Sequence, residues 1–157
     1  MYRYAIEELV KWKNKKNRKP LNIEGARQVG KTWLMKEFGK IYYKDTIYIN
    51  FDSNTRMTEL FAHDLEVERI VMGIEIFAGK KIDPDNTLLI FDEVHEVPRA
   101  LSNLKYFCEN APQYQIVCAG SLLGIALHEG TSFPVGKADF LKLYPMSFKE
   151  FLLATGK

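Results

Sequence analysis

The stretch from Gly25 to Thr32 reads G-A-R-Q-V-G-K-T, and it constrains this chain more than any other feature. A short run, Leu21-Asn22-Ile23, leads into it, and an amphipathic segment from Lys31 to Phe38 comes after it. Two glycines in a strand-to-helix connection let the loop turn its backbone N–H groups inward. The helix after the loop adds its positive N-terminal end. Gly25, Ala26, Arg27, Gln28, Val29, Gly30, Lys31 and Thr32 are therefore expected to cradle phosphate groups. In such a cradle the lysine reaches the β- and γ-phosphates and the threonine hydroxyl ligates Mg²⁺.

The remaining pattern alternates helix-length and strand-length segments. Tyr4 to Trp12 has helical spacing, within an N-terminal helical stretch over residues 1–16. Lys31 to Phe38 is expected to be a helix closed by Gly39, and Asp64 to Ala78 a helix stopped by Gly79. Strands are expected at Thr46–Phe51, Thr87–Phe91, Tyr114–Ala119 and Phe140–Tyr144, with a turn at Asp83–Asn86. Pro98 opens a further helix with Leu101, Leu104, Phe107 and Cys108 on one face, ended by Pro112. Ser147 and Glu150 make a capping box and Met146 faces Phe151, so another helix starts at Phe148. Strands separated by helices predict an α/β fold with a parallel sheet between two helical layers. Ligands in such folds bind beyond the carboxyl ends of the strands.

The polar motifs fall at those ends. Leu88-Leu89-Ile90-Phe91 buries a strand from which Asp92 and Glu93 emerge. Asp92 suits Mg²⁺ through its water shell, and Glu93 suits orientation and deprotonation of an attacking water. Ala119-Gly120-Ser121 comes after another strand. There Ser121 either senses a γ-phosphate or holds the lytic water, or Gly120 and Ser121 simply make the turn. His95 is a minor candidate, since a lone histidine is more often structural.

Composition narrows the partners. The 157 residues are 46% hydrophobic and 27% charged with a net charge of +2, as in a globular protein with a core. No apolar run approaches the roughly 20 residues that span a bilayer, and no signal peptide is visible. Cys108 and Cys118 have no metal-type spacing, and a reducing cytoplasm fits them best. The cations between Lys11 and Lys19 allow two readings: a solvated helix end and loop, or contact with the phosphates of a nucleic acid or of a nucleotide.

Together the motifs resemble those of the prokaryotic AAA-type ATPases within the signal-transducing branch of the P-loop enzymes. The matching text is N-R-K-P-L at Asn17–Leu21, G-A-R-Q-V-G-K-T, Y-I-N-F-D at Tyr48–Asp52 and L-L-I-F-D-E-V-H-E-V-P-R-A-L at Leu88–Leu101. It continues with L-K-Y-F at Leu104–Phe107, A-G-S-L-L-G at Ala119–Gly124, S-F-P-V-G-K at Ser132–Lys137 and L-Y-P-M-S-F-K-E-F-L at Leu143–Leu152. The resemblance implies a P-loop NTPase sandwich with strand order 5-1-4-3-2, ATP and Mg²⁺ as ligands, and one ATPase domain over residues 1–157. It further implies a C-terminal domain beyond Lys157 in family members, and a protein partner or that domain as the recipient of the output. Some relatives carry arginine where this chain has Lys137, so Lys137 is either a γ-phosphate contact in cis or a surface lysine. The last arginine is Arg99, which weakens a ring-forming reading. Two other readings share the loop: a nucleotide-binding switch that does not hydrolyse, and a small-molecule kinase. The kinase reading lacks an arginine-bearing lid after Arg99, and an N-K-x-D base-reading motif for GTP is absent from the sequence.

Overall fold

A computed structural model describes residues 3–25, 30–120 and 136–143. In chain order the elements are α1 (Arg3–Lys13), β1 (Leu21–Glu24), α2 (Lys31–Tyr42), β2 (Asp45–Asn50), α3 (Thr55–Ala62), α4 (Val67–Ala78), β3 (Thr87–Asp92), α5 (Pro98–Asn110), β4 (Gln115–Ala119) and β5 (Asp139–Lys142). A single 3-10 turn, Val94–Glu96, joins β3 to α5.

The five strands form one sheet in the order β2-β3-β4-β1-β5, and every neighbouring pair is parallel. This is the order 5-1-4-3-2 implied by the resemblance. Alternation along the strands sorts side chains to two faces. Ile47, Ile49, Leu89, Phe91, Ile116 and Cys118 pack under α3, α4 and α5, where Phe51 contacts both Phe61 and Phe91. Leu88, Ile90, Val117, Leu21 and Ile23 pack on the other face under α1 and α2, with Trp12 and Phe38. Strand β3 is buried along its whole length. Each large apolar side chain removed from water contributes about 1.5–3 kcal/mol, so the end of β3 is a rigid mount for Asp92 and Glu93.

Two helices differ from the sequence expectation. Gly39 does not close α2; the helix runs on to Tyr42. The glycine is there for close approach: a Cβ on it would lie 2.6 Å from Thr46 Oγ1 and 3.3 Å from Leu88 Cδ2. The helix expected from Asp64 begins at Val67, and a separate helix without a counterpart in the sequence expectation, α3, precedes it. Asn54 caps α3 by accepting the Met57 N–H with its side-chain oxygen. Gly79 does end α4, in the left-handed conformation at φ 71°. The capping box at Ser147 and Glu150, with the helix expected from Phe148, lies outside the described residues.

Cys118 is buried, and desolvation raises its thiol pKa, in keeping with a packing role. No helix among the described residues is long and apolar enough to cross a membrane.

Candidate functional site

Sheet register assembles the site. Ile23 lies across from Ala119, and Ala119 lies across from Asp92. Gly25, Gly120 and Glu93, each just beyond one of these positions, therefore leave the sheet along a single edge. Gly30 turns the chain into α2 with φ 84°, a left-handed backbone that disfavours any residue with a Cβ. Lys31 and Thr32 form the first turn of α2, directly above that edge.

Lys31 Nζ donates to the carbonyls of Gly25, at 2.9 Å, and Gly120, at 3.3 Å. A flexible ammonium is thus held between the ends of β1 and β4. The Thr32 hydroxyl donates to Asp92 Oδ2 at 2.5 Å. That oxygen also accepts from the Tyr48 hydroxyl at 2.7 Å, while Asp92 Oδ1 accepts the Glu93 N–H at 3.0 Å. Asp92 is only 4% exposed, so this hydrogen bonding compensates a carboxylate withdrawn from water. A hydroxyl and a carboxylate in direct contact beside a lysine is a donor set suited to Mg²⁺, a hard cation that takes oxygen ligands and keeps much of its water.

Tyr48 reads in the sequence as one residue of a strand and of the Y-I-N-F-D match, with no site role assigned to it. It points to the α2 face of β2, and the Lys36 ammonium lies 4.1 Å from its ring centroid. Burial, then the hydrogen bond to Asp92, pushes its phenol pKa up, so it stays a proton donor to Asp92. Removing this hydroxyl while keeping the ring, Tyr48→Phe, is expected to weaken Mg²⁺-dependent nucleotide affinity about 10-fold or more, the size of one lost hydrogen bond to a charged group. Titration calorimetry at fixed Mg²⁺ measures it.

Glu93 occupies the left-handed region at φ 53°, ψ 39°, a conformation that costs a non-glycine residue about 1 kcal/mol or more. The turn after it closes with the Glu96 N–H on the Glu93 carbonyl. This sharp corner ends β3 and leaves the Glu93 side chain partly exposed at the sheet edge, 37% by side-chain area.

Lys31, Thr32, Asp92 and Glu93 are thus gathered along one edge, together with the glycines Gly25, Gly30 and Gly120. Ala26, Arg27, Gln28, Val29 and Ser121 lie outside the described residues. Lys137 is not brought to the group. It precedes β5, whose Asp139 pairs with Leu21 at the amino end of β1, and its ammonium sits 3.4 Å from Glu109. Parallel strands put that position at the opposite end of the sheet from Gly25. Arg99 is also engaged elsewhere, donating to the Phe61 carbonyl. The basic segment folds onto the same far end. Lys15 pairs with Asp139, and Arg18 donates to the Lys13 carbonyl while lying over Trp12.

A family model described as an AAA domain matches residues 17–152. The chain belongs to this AAA-domain family. Membership supports a nucleotide-binding function of the ATPase type. No curated protein matches the chain. Solved structures share its fold. A Walker-type ATPase of Pyrococcus abyssi is similar over 99% of this chain and 57% of its own, at 16% identity and a TM-score of 0.60. The Orc1 protein of Aeropyrum pernix, solved in complex with DNA, is similar over 98% and 47%, at 15% identity and a TM-score of 0.54. PCH-2 of C. elegans is similar over 89% and 40%, at 16% identity and a TM-score of 0.51. This AAA-domain chain therefore spans roughly half the length of these structural relatives.

Proposed function

We propose that this AAA-domain chain binds ATP with Mg²⁺ and hydrolyses it to ADP and phosphate. The observation that carries this reading is the convergence of Lys31, the Thr32–Asp92 pair and Glu93 on one sheet edge. Lys31 exchanges its carbonyl partners for the β- and γ-phosphate oxygens, where its charge offsets theirs. Thr32 and Asp92 would hold Mg²⁺, which when bound screens the phosphate charge. Glu93 accepts a proton from a water as the water oxygen bonds to the γ-phosphorus. The bond from that phosphorus to the bridging oxygen breaks, ADP leaves with the electron pair, and the proton passes on to phosphate. Ser121, one residue beyond Gly120, is assigned the reporting of the γ-phosphate.

ATP is preferred over GTP on family grounds, and a cytoplasmic location accompanies the reading. The output partner is a protein or a further domain. The basic segment Lys11–Lys19 lies far from the phosphate edge and is not assigned a nucleic-acid role.

The test pairs two measurements on one preparation: calorimetry with ATP and with a non-hydrolysable analogue, and phosphate release. Binding of both nucleotides with Mg²⁺-dependent release is the expected result. Binding without release would replace hydrolysis with a nucleotide-binding switch.

A further inference from the structure

His95 is buried, with 4% of its surface exposed, in a region where other buried side chains are mostly apolar. Its Nε2 lies 3.4 Å from Glu93 Oε2 and 3.2 Å from Glu96 Oε1. Its opposite ring edge lies against the end of β4. A Cβ built on Gly120 would come within 2.7 Å of His95 Nδ1 and 3.5 Å of its Cβ, so the ring occupies the space that a glycine leaves there. The Gly120 carbonyl in turn accepts from Lys31. The imidazole therefore bridges the two strand ends that flank the phosphate edge. One side rests on β4, and the other lies between the carboxylates of Glu93, at 3.4 Å, and Glu96, at 3.2 Å.

The local backbone makes this bridge. Glu93 turns left-handed, and one 3-10 turn over Val94–Glu96 folds His95 back beneath it. Val94 anchors the turn in the core. A glutamate side chain has three rotatable bonds and, at a partly exposed corner, would sample many positions. A fixed nitrogen beside its carboxylate removes most of them.

We propose that His95 is the positioning residue for Glu93, orienting its carboxylate toward the phosphate edge through a ring wedged on Gly120. The inference rests on the reading of Glu93 as the group that accepts the proton of water. In this role His95 acts through Glu93 and not on the nucleotide. Its contribution is alignment, and a misalignment of about 1 Å at a reacting group costs on the order of 100-fold in rate.

The experiment measures kcat, KM and ATP affinity for the wild type, His95→Ala, His95→Gln and Glu93→Gln. His95→Ala is expected to lower kcat about 10- to 100-fold while ATP affinity stays within about twofold, because alignment is lost and phosphate binding is not. Glutamine can present an amide N–H near the position of Nε2, so His95→Gln should recover a substantial part of kcat. A ring that merely filled space would give no such recovery and no split between kcat and affinity. If Glu93→Gln is inactive while His95→Ala turns over like the wild type, the positioning role is wrong and the role of Glu93 stands. If Glu93→Gln itself turns over normally, the underlying reading fails first. Should His95→Ala not fold, the glutamine variant decides: kcat and ATP affinity lowered together, with no split between them, overturns the proposal.

Discussion

Lys31→Ala is expected to weaken ATP binding about 10- to 150-fold, the equivalent of losing charge-assisted hydrogen bonds worth about 1.5–3 kcal/mol. The Lys31 ammonium stands between the Gly25 and Gly120 carbonyls. Its own contribution to folding is small. It is only part-buried, it donates to two carbonyls at the sheet edge, and the helix it opens is secured by Leu34, Met35 and Phe38 in the core. Calorimetry should therefore show lost affinity with a nearly unchanged melting temperature. Affinity within twofold of the wild type would mean that the phosphates do not lie where Lys31 points.

Glu93→Gln is expected to act on the other half of the chemistry. An amide has the size of the carboxylate and cannot accept the proton of water, so turnover should fall about 100-fold or more, the usual contribution of a general base. Binding should persist. The Glu93 contact with Asp92 runs through its backbone N–H, and the Thr32 and Tyr48 hydroxyls on Asp92 are untouched by the substitution. Loss of kcat at constant affinity is the signature of an interaction made in the transition state alone.

Much of this arrangement was legible in the sequence, and the parts that were not share a cause. The glycine loop, the apolar run ending in Asp92-Glu93 and the break after Ala119 are local signals, each contained within a few residues. Periodicity found β3 and α5 with nearly their observed bounds. Local signals mislead when a residue answers to a distant one. Gly39 looked like a helix stop because glycine usually is one, yet Thr46 and Leu88, across the layer, dictate it. Tyr48 looked like strand filler because its partner, Asp92, is on the neighbouring strand. Lys137 stands at the end of the sheet away from the loop because β5 runs parallel to β1, a fact no short motif carries. His95 could be weighed only as a lone histidine until Gly120 and Glu93 were found on either side of it.

The central claim is that this edge of the sheet hydrolyses ATP through Glu93, and phosphate release tests it most directly. Wild-type protein and Glu93→Gln, both shown by calorimetry to bind ATP, are compared at saturating Mg²⁺ and ATP. Steady release by the wild type and release reduced about 100-fold or more in the variant are the expected results. Equal release from both would contradict it.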